Sequence, residues 1–156
     1  MEIVEYTEKY RQDFIRLNTE WIEKYFVMEE ADKKELSHIK DHIASGGMAF
    51  VAVEENAVMA VCMISPTDDD KTVWEVHKLA ADKHYRGRGA GSAVLNSCIE
   101  FALKNGAKKL VLITNHILTP AIHLYKKAGF KEVPLSGGQE YARADVQMEF
   151  IPENRY

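Results

Sequence analysis

The segment HYRGRGAGS at positions 84–92 has the composition of an anion-binding turn. Its glycines allow the backbone to approach a ligand closely and to adopt conformations that other residues avoid. Its arginines carry permanent charges whose planar shape suits phosphate oxygens. A helix beginning here would direct unpaired N–H groups and its positive dipole end at the same point. The segment therefore suits a pyrophosphate, although a strand-to-helix turn with solvated arginines has the same composition.

Two familiar phosphate-binding loops do not fit this segment. A P-loop requires Gly-Lys-Ser/Thr after its glycines, whereas Gly91 is followed by Ser92 and Ala93. A dinucleotide fingerprint that starts at Gly87 should be followed about twenty positions later by an acidic residue, where Lys108 stands instead. Any phosphate bound here must belong to another kind of ligand.

The elements that would position this turn can be read from hydrophobic periodicity. The strand before it, the helix after it and the apolar run LVLI together form a strand-helix-strand unit, which requires parallel pairing. The fold class is α+β with a mixed sheet, in one domain over residues 1–156. Strands are predicted over residues 2–6, 48–54, 57–65, 72–81, 109–114, 130–133 and 143–151, and helices from Thr7 to Tyr25, over 32–44, from the turn to Gly106, and over 119–128.

The composition of the chain argues against several classes of protein. The chain has 156 residues, a net charge of −4 and an isoelectric point near 5.9, which argues against a nucleic-acid binder. Two cysteines, Cys62 and Cys98, are too few for a disulfide framework or a zinc site. No apolar segment is long enough for a signal peptide or a membrane span. We therefore expect a cytoplasmic protein with no metal and no membrane or nucleic-acid partner.

Two motifs together carry a family resemblance. The pattern Arg86-x-x-Gly89-x-Gly91, between a strand and an amphipathic helix, resembles the acetyl-CoA-binding motif of the GNAT acetyltransferase superfamily. The segment AIHLYKKAGF at 121–130 resembles that family's second hallmark, a helix that ends in Leu-Tyr-x-Lys-x-Gly-Phe. The resemblance covers nearly the whole chain. It implies the GNAT fold, a central mixed twisted sheet of about six to seven strands flanked by about four helices.

The resemblance implies that an acetyl group passes directly from acetyl-CoA to a primary amine of a small molecule or peptide. Many family members carry an asparagine where this chain has Leu118, and Asn115 either takes its place or only caps the turn. The residues implied to contact acetyl-CoA are Leu79, Ala80, Ala81, Arg86, Gly87, Arg88, Gly89, Ala90, Gly91, Ser92, Asn115, Ala121 and Tyr125.

Glu75 is the implied general base, because similar family members have a glutamate at this distance before the turn. Its apolar neighbours would raise its pKa toward a useful value. Strand alternation leaves an outward-facing carboxylate equally open. His77 lies on the same face by that alternation and could share the role, whereas His84, beside the turn, is a weaker candidate.

Tyr125 is the implied general acid. A phenol with a pKa near 10 is reasonably matched to a departing thiolate, because the corresponding thiol has a pKa of about 8.5. The alternative is that Tyr125 only packs its ring beside Leu124 on a core-facing helix.

The acceptor substrate is the part of the predicted reaction that the sequence determines least. In this fold its pocket would be shaped near Phe26–Asp32 and Leu135–Tyr141, where Glu29, Glu30 and Asp32 either favour a cationic acceptor or are only surface charge. Acetylation of a protein amine and a non-catalytic acyl-CoA sensor are the alternative functions, and a homodimer is left open.

Overall fold

A computed structural model describes residues 1–85, 87–136 and 143–152 of the chain. Short 3-10 turns lie at Glu8–Tyr10 and Lys83–Tyr85. The strands are β1 Glu2–Glu5, β2 Met48–Glu54, β3 Ala57–Pro66, β4 Val73–Ala81, β5 Lys109–Thr114, β6 Lys131–Val133 and β7 Val146–Phe150. The helices are α1 Arg11–Tyr25, α2 Glu30–Ser37, α3 Ile39–Ala44, α4 Ala90–Lys104 and α5 Thr119–Ala128.

The described strands form one mixed sheet in the order β1-β2-β3-β4-β5-β7-β6. β3 shows why helices cover both faces of it. Cys62 and Ile64 pack in the apolar core under α4 and α5, while Val61 and Met63 pack in a second core under α1, α2 and α3. All four are fully buried, since successive side chains of a strand point to opposite faces. No helix among the described residues is long and apolar enough to cross a membrane.

β4 and β5 are parallel neighbours for only a short distance. Val73–Glu75 pairs with Lys109–Val111, which confirms the parallel crossover predicted from the sequence. Beyond this point β4 continues beside β3 as far as Ala81, and β5 continues beside β7 as far as Thr114. The two strands therefore separate near the middle of the sheet and leave a gap between them.

A bulge in β4 lies at this gap. The pairing with β3 shifts by one residue between Val61 and Met63, and Lys78 has a left-handed backbone with φ 59°. Such a bulge bends the strand and redirects its side chains. It turns this part of β4 away from its course beside β5.

The structure corrects several predicted boundaries. α1 begins at Arg11 instead of Thr7, because a 3-10 turn comes first and the Thr7 side chain caps no helix. The single helix predicted over 32–44 is two helices, giving five where about four were expected. His38 leaves the helical region with φ −116° and ψ 30°, and its N–H closes a short turn on Glu35, so α2 ends there. β7 begins at Val146, three residues later than predicted from Arg143.

Candidate active site

A cleft of about 150 Å³ occupies the gap between β4 and β5. It is lined from both faces of the sheet, because the gap passes through it. β4 contributes Glu75, Val76, His77, Lys78 and Leu79, and the end of β5 contributes Ile113, Thr114 and Asn115. The remaining lining residues are Asn18, Trp21, Ile22, Phe26, Glu35, Leu118, Tyr125, Arg143 and Ala144.

Glu75 lies in the wall of this cleft and is half-buried. Its neighbours Trp74 and Val76 are buried in the core under α4, so alternation directs Glu75 to the opposite face. It lies at the last paired position of β4 and β5, beside Val111. The structure thus places Glu75 in the cleft wall and not on an outward surface.

His77 also lines the cleft, but both of its ring nitrogens have partners. Nδ1 contacts the Glu35 carboxylate, and Nε2 lies 3.0 Å from Ser65 Oγ. The Glu35 carboxylate, the His77 imidazole and the Ser65 hydroxyl thus follow one another in the order of a serine-hydrolase catalytic triad. Ser65, however, is only 6% exposed and is not among the cleft-lining residues. These contacts hold the imidazole ring in place.

His84 lies elsewhere. Its ring contacts Asp82 at 2.8 Å beside the 3-10 turn, its side chain is largely exposed, and it does not line the cleft. The structure does not bring it together with Glu75 or Tyr125.

Tyr125 reaches the cleft from α5, on the other face of the sheet from Glu75. Its ring packs edge-on against Phe130 with centroids 6.0 Å apart, so the predicted packing alternative is also present, with Phe130 as partner. Within the described part of the chain its hydroxyl has no hydrogen-bond partner. Burial, with a smaller contribution from Cys62, raises the pKa of Tyr125 well above its usual value. The phenol therefore stays protonated at physiological pH.

A buried ion network joins α2 to the cleft. Asp32 is fully buried, and its carboxylate accepts hydrogen bonds from Arg143 at 2.6 and 2.8 Å, from Lys78 at 3.3 Å and from the backbone N–H of Glu29 at 2.9 Å. Burial alone would raise the pKa of Asp32, but these hydrogen bonds and charges outweigh it and hold the pKa below its usual value. Asp32 is thus an internal counter-ion, not the surface charge that was one interpretation of the sequence.

The turn before α4 has the backbone conformation that its glycines predict. Gly87 and Gly89 have φ 77° and 76°, and a Cβ added at either would meet no atom within 4 Å. Gly89 is the N-cap of α4 and, having no side chain, makes no side-chain capping hydrogen bond to this end of the helix. Arg88 forms an ion pair with Glu54 at the end of β2. The prediction for Arg86 lies outside the described residues.

The other predicted cofactor contacts are distributed unevenly. Leu79 lines the cleft, whereas the Ala80 side chain is buried in the core under α1 and Ala81 is exposed. Asn115 lines the cleft while its amide donates to the Arg143 carbonyl at 2.6 Å and accepts from the Ile117 N–H at 2.9 Å. Asn115 thus caps the turn, and its contact with acetyl-CoA stays a prediction. Ala121 is buried under the sheet, and most of the predicted acceptor segment 135–141 is outside the described residues.

Sequence reasoning missed Lys78, Arg143 and Glu35. One signal was present for Lys78, which interrupts the apolar pattern of a strand that runs into the sheet centre. Its side chain is only 7% exposed, and a lysine is rarely buried unless it is paired. The partners lie 42 or more positions away in sequence, so nothing local indicated them.

Among the described residues, no group of three or more His, Cys, Asp or Glu side chains is arranged to hold a metal ion.

The chain belongs to the GNAT acetyltransferase family, whose family model matches residues 14–130. An acetyltransferase of this family from Staphylococcus aureus Mu50 superposes with a TM-score of 0.85 at 18% identity, over 96% of this chain and 98% of that one. An acetyltransferase of Salmonella typhimurium, solved with acetyl-CoA, superposes with a TM-score of 0.75 at 16% identity, over 97% and 93%. The predicted family and fold are confirmed, and at the level of the family so is the prediction of an acyltransferase.

Curated relatives match only part of their length. The N-acetylaspartate synthetase of Danio rerio is 34% identical over 89 residues, which cover 57% of this chain and 31% of that protein. The matched segments span less than half of the curated relatives. The acceptor of this chain therefore has to be argued from its own cleft.

We predict that Asp32→Asn lowers the free energy of unfolding at pH 7 by about 3 kcal/mol, because it leaves two buried cations without their shared counter-ion. Because the pKa of Asp32 is lowered by folding, its ionised form stabilises the protein above the unfolded pKa near 3.8, and this stabilisation is lost as the pH falls through the folded value. The difference between wild type and variant should therefore shrink below about pH 4. Urea unfolding across pH measures it.

Asp70→Asn is the matched control, since Asp70 is exposed at the β3–β4 turn. It should change stability by less than about 0.5 kcal/mol. A loss for Asp32→Asn no larger than for Asp70→Asn would contradict the role given to the buried network.

Proposed function

We propose that this chain is an acetyl-CoA-dependent N-acetyltransferase that moves the acetyl group directly to a primary amine of a small molecule or peptide. The observation that carries the proposal is the cleft through the split sheet, which brings Glu75 and Tyr125 together from opposite faces. The acetyl-CoA in the Salmonella neighbour supports the choice of acyl donor. Both cysteines are free buried thiols, which is compatible with action in the reducing cytoplasm.

The turn before α4 is the proposed site for the pyrophosphate of the donor. The first N–H groups of the helix, on Ala90, Gly91 and Ser92, point toward it, and the left-handed Gly87 and Gly89 keep that side open. Arg86 and Arg88 would supply positive charge, for which Arg88 must exchange its contact with Glu54. The pantetheine arm would then run beside Leu79–Ala81 into the cleft, near Asn115 and Ala121.

Glu75 is proposed to accept the proton of the acceptor ammonium, directly or through water. The amine nitrogen then attacks the thioester carbonyl, and the developing oxyanion needs a hydrogen-bond donor. The backbone of β4 is a candidate for this donor. Among the described residues, it is not paired with β5 beyond Glu75. An N–H of the segment 79–81 is therefore the proposed oxyanion donor.

Tyr125 is proposed to stabilise the departing thiolate. Its raised pKa makes the phenol a weaker acid than a thiol, so donation of a hydrogen bond is favoured over complete proton transfer. The second proton of the attacking nitrogen ends on the CoA sulfur as the amide forms. No protein-bound acyl intermediate is needed.

Gly89→Glu should abolish the increase in melting temperature that acetyl-CoA causes, because the new carboxylate would occupy the open side of the turn. The wild type should gain about 2.7 kcal/mol at a hundred times the dissociation constant. Gly106→Glu, at the other end of α4, is the control, since Gly106 also has a positive φ of 90° and open space around its Cα. Equal shifts in both variants would argue against an acyl-CoA site at this turn.

Glu75→Gln should lower kcat/KM for amine acetylation by at least about 10²-fold at pH 7, since the ammonium then lacks its base. Activity should recover as the pH approaches about 10, where the amine loses its proton unaided. Glu149→Gln is the control, because Glu149 flanks Val111 in the same row of the sheet but does not line the cleft. Full activity of Glu75→Gln at pH 7 would rule out this base.

Tyr125→Phe should lower kcat by about 10²-fold and leave the acetyl-CoA thermal shift unchanged, because only a transition-state hydrogen bond is lost. Tyr25→Phe serves as the control, since Tyr25 packs against Trp21 but does not itself line the cleft. CoA release measured with a thiol reagent reports both variants. If acetyl-CoA binds and no amine causes CoA release, the chain is a sensor and not a transferase.

A further inference from the structure

Among the described residues, carboxylates outnumber cations on the α1–α2 side of the cleft. Glu75 and Glu35 line the cleft directly, and Glu29 and Asp32 border it through their contacts with Arg143. In the part of the chain that the structure describes, four carboxylates thus stand against two cations, Lys78 and Arg143.

Both cations are already paired within the protein. Lys78 Nζ lies 3.3 Å from Asp32 and 3.4 Å from Glu35. Arg143 holds Asp32 through two nitrogens and contacts Glu29 at 3.1 Å. A carboxylate on the acceptor would have to compete with these four ion pairs, and it would enter a region in which the described carboxylates outnumber the described cations.

One wall of the same cleft is apolar. The last turns of α1 supply Trp21, Ile22 and Phe26, and the Arg143 guanidinium lies over the Phe26 ring at 5.3 Å from its centroid. Aromatic faces attract cations and also bury hydrocarbon. Ile113 and Leu118 add further apolar surface to the lining of the cleft.

Together these features select one chemical class of acceptor. We propose that the cleft takes a primary ammonium joined to an apolar body, with no carboxylate. This inference rests on the proposed N-acetyltransferase function and narrows its acceptor. The ammonium would lie among the carboxylates near Glu75, and the apolar body would lie against Trp21 and Phe26.

Relatives named N-acetylaspartate synthetase make an acidic amino acid the main competing class. The two classes can be separated by pairs of amines that differ only in a carboxylate. Phenethylamine with phenylalanine is one pair, cadaverine with lysine is another, and aspartate is added as a doubly acidic amine. Binding of each to the wild-type protein saturated with CoA is measured by calorimetry, and CoA release from acetyl-CoA is measured separately.

We expect each decarboxylated amine to bind at least about tenfold more tightly than its amino acid, with phenethylamine the better of the two amines. The preference should weaken at high salt, since it is electrostatic in part. Equal affinities within both pairs, tighter binding of the amino acids or of aspartate, or no binding of any amine would overturn the inference.

Variants test whether the cleft carboxylates cause the selection. Glu29→Gln should reduce the preference for the decarboxylated amine several-fold. Glu30→Gln should leave it unchanged, because Glu30 is the adjacent residue but its side chain is 92% exposed and, among the described residues, pairs with Lys33 alone. An equal effect of both substitutions would overturn the assignment to the cleft charges.

Turnover separates this inference from the function on which it rests. Acetylation of amino acids in preference to the decarboxylated amines would refute the inference and leave the transferase standing. Selective binding of the amines without CoA release from any of them would refute the transferase while the charge selection itself is confirmed.

Discussion

The site depends on the early separation of β4 from β5. Two parallel strands that stayed paired would bury both faces of their residues and leave no opening in the sheet. Here pairing ends at Glu75 and Val111, after three residues. The left-handed Lys78 bends β4 away just beyond that point. The cleft, with the two proposed catalytic groups in its lining, lies where this backbone pairing ends.

The buried Asp32 network compensates for this opening. An isolated charge in such a place is costly, and four donors around one carboxylate make it tolerable. The same contacts fasten α2 and the segment before β7 to the bulge, so this side of the cleft is held by ion pairs where the backbone ladder is missing. Lys78 has two roles in this arrangement, since its backbone forms the bulge and its side chain anchors the helix that covers it.

The two proposed catalytic groups differ because the two faces of the sheet differ. Tyr125 belongs to the apolar core under α4 and α5, where burial keeps the phenol neutral. Glu75 lies among charged and polar groups on the α1–α2 side. The two groups proposed as hydrogen-bond donor and proton acceptor thus reach one cleft from two different environments.

Sequence alone determined the local parts of this protein. The glycines before α4, the LVLI strand and the helix of residues 119–128 follow from short-range conformational rules, and the two motifs were sufficient for the family. It could not decide which face Glu75 occupies, because strand alternation fixes relative and not absolute orientation. Nor could it show that Asp32, Lys78 and Arg143 meet, since their contacts join residues 46 and 111 positions apart. Only the packing of distant segments around the split sheet decides which charges are neutralised, and therefore what the cleft can accept.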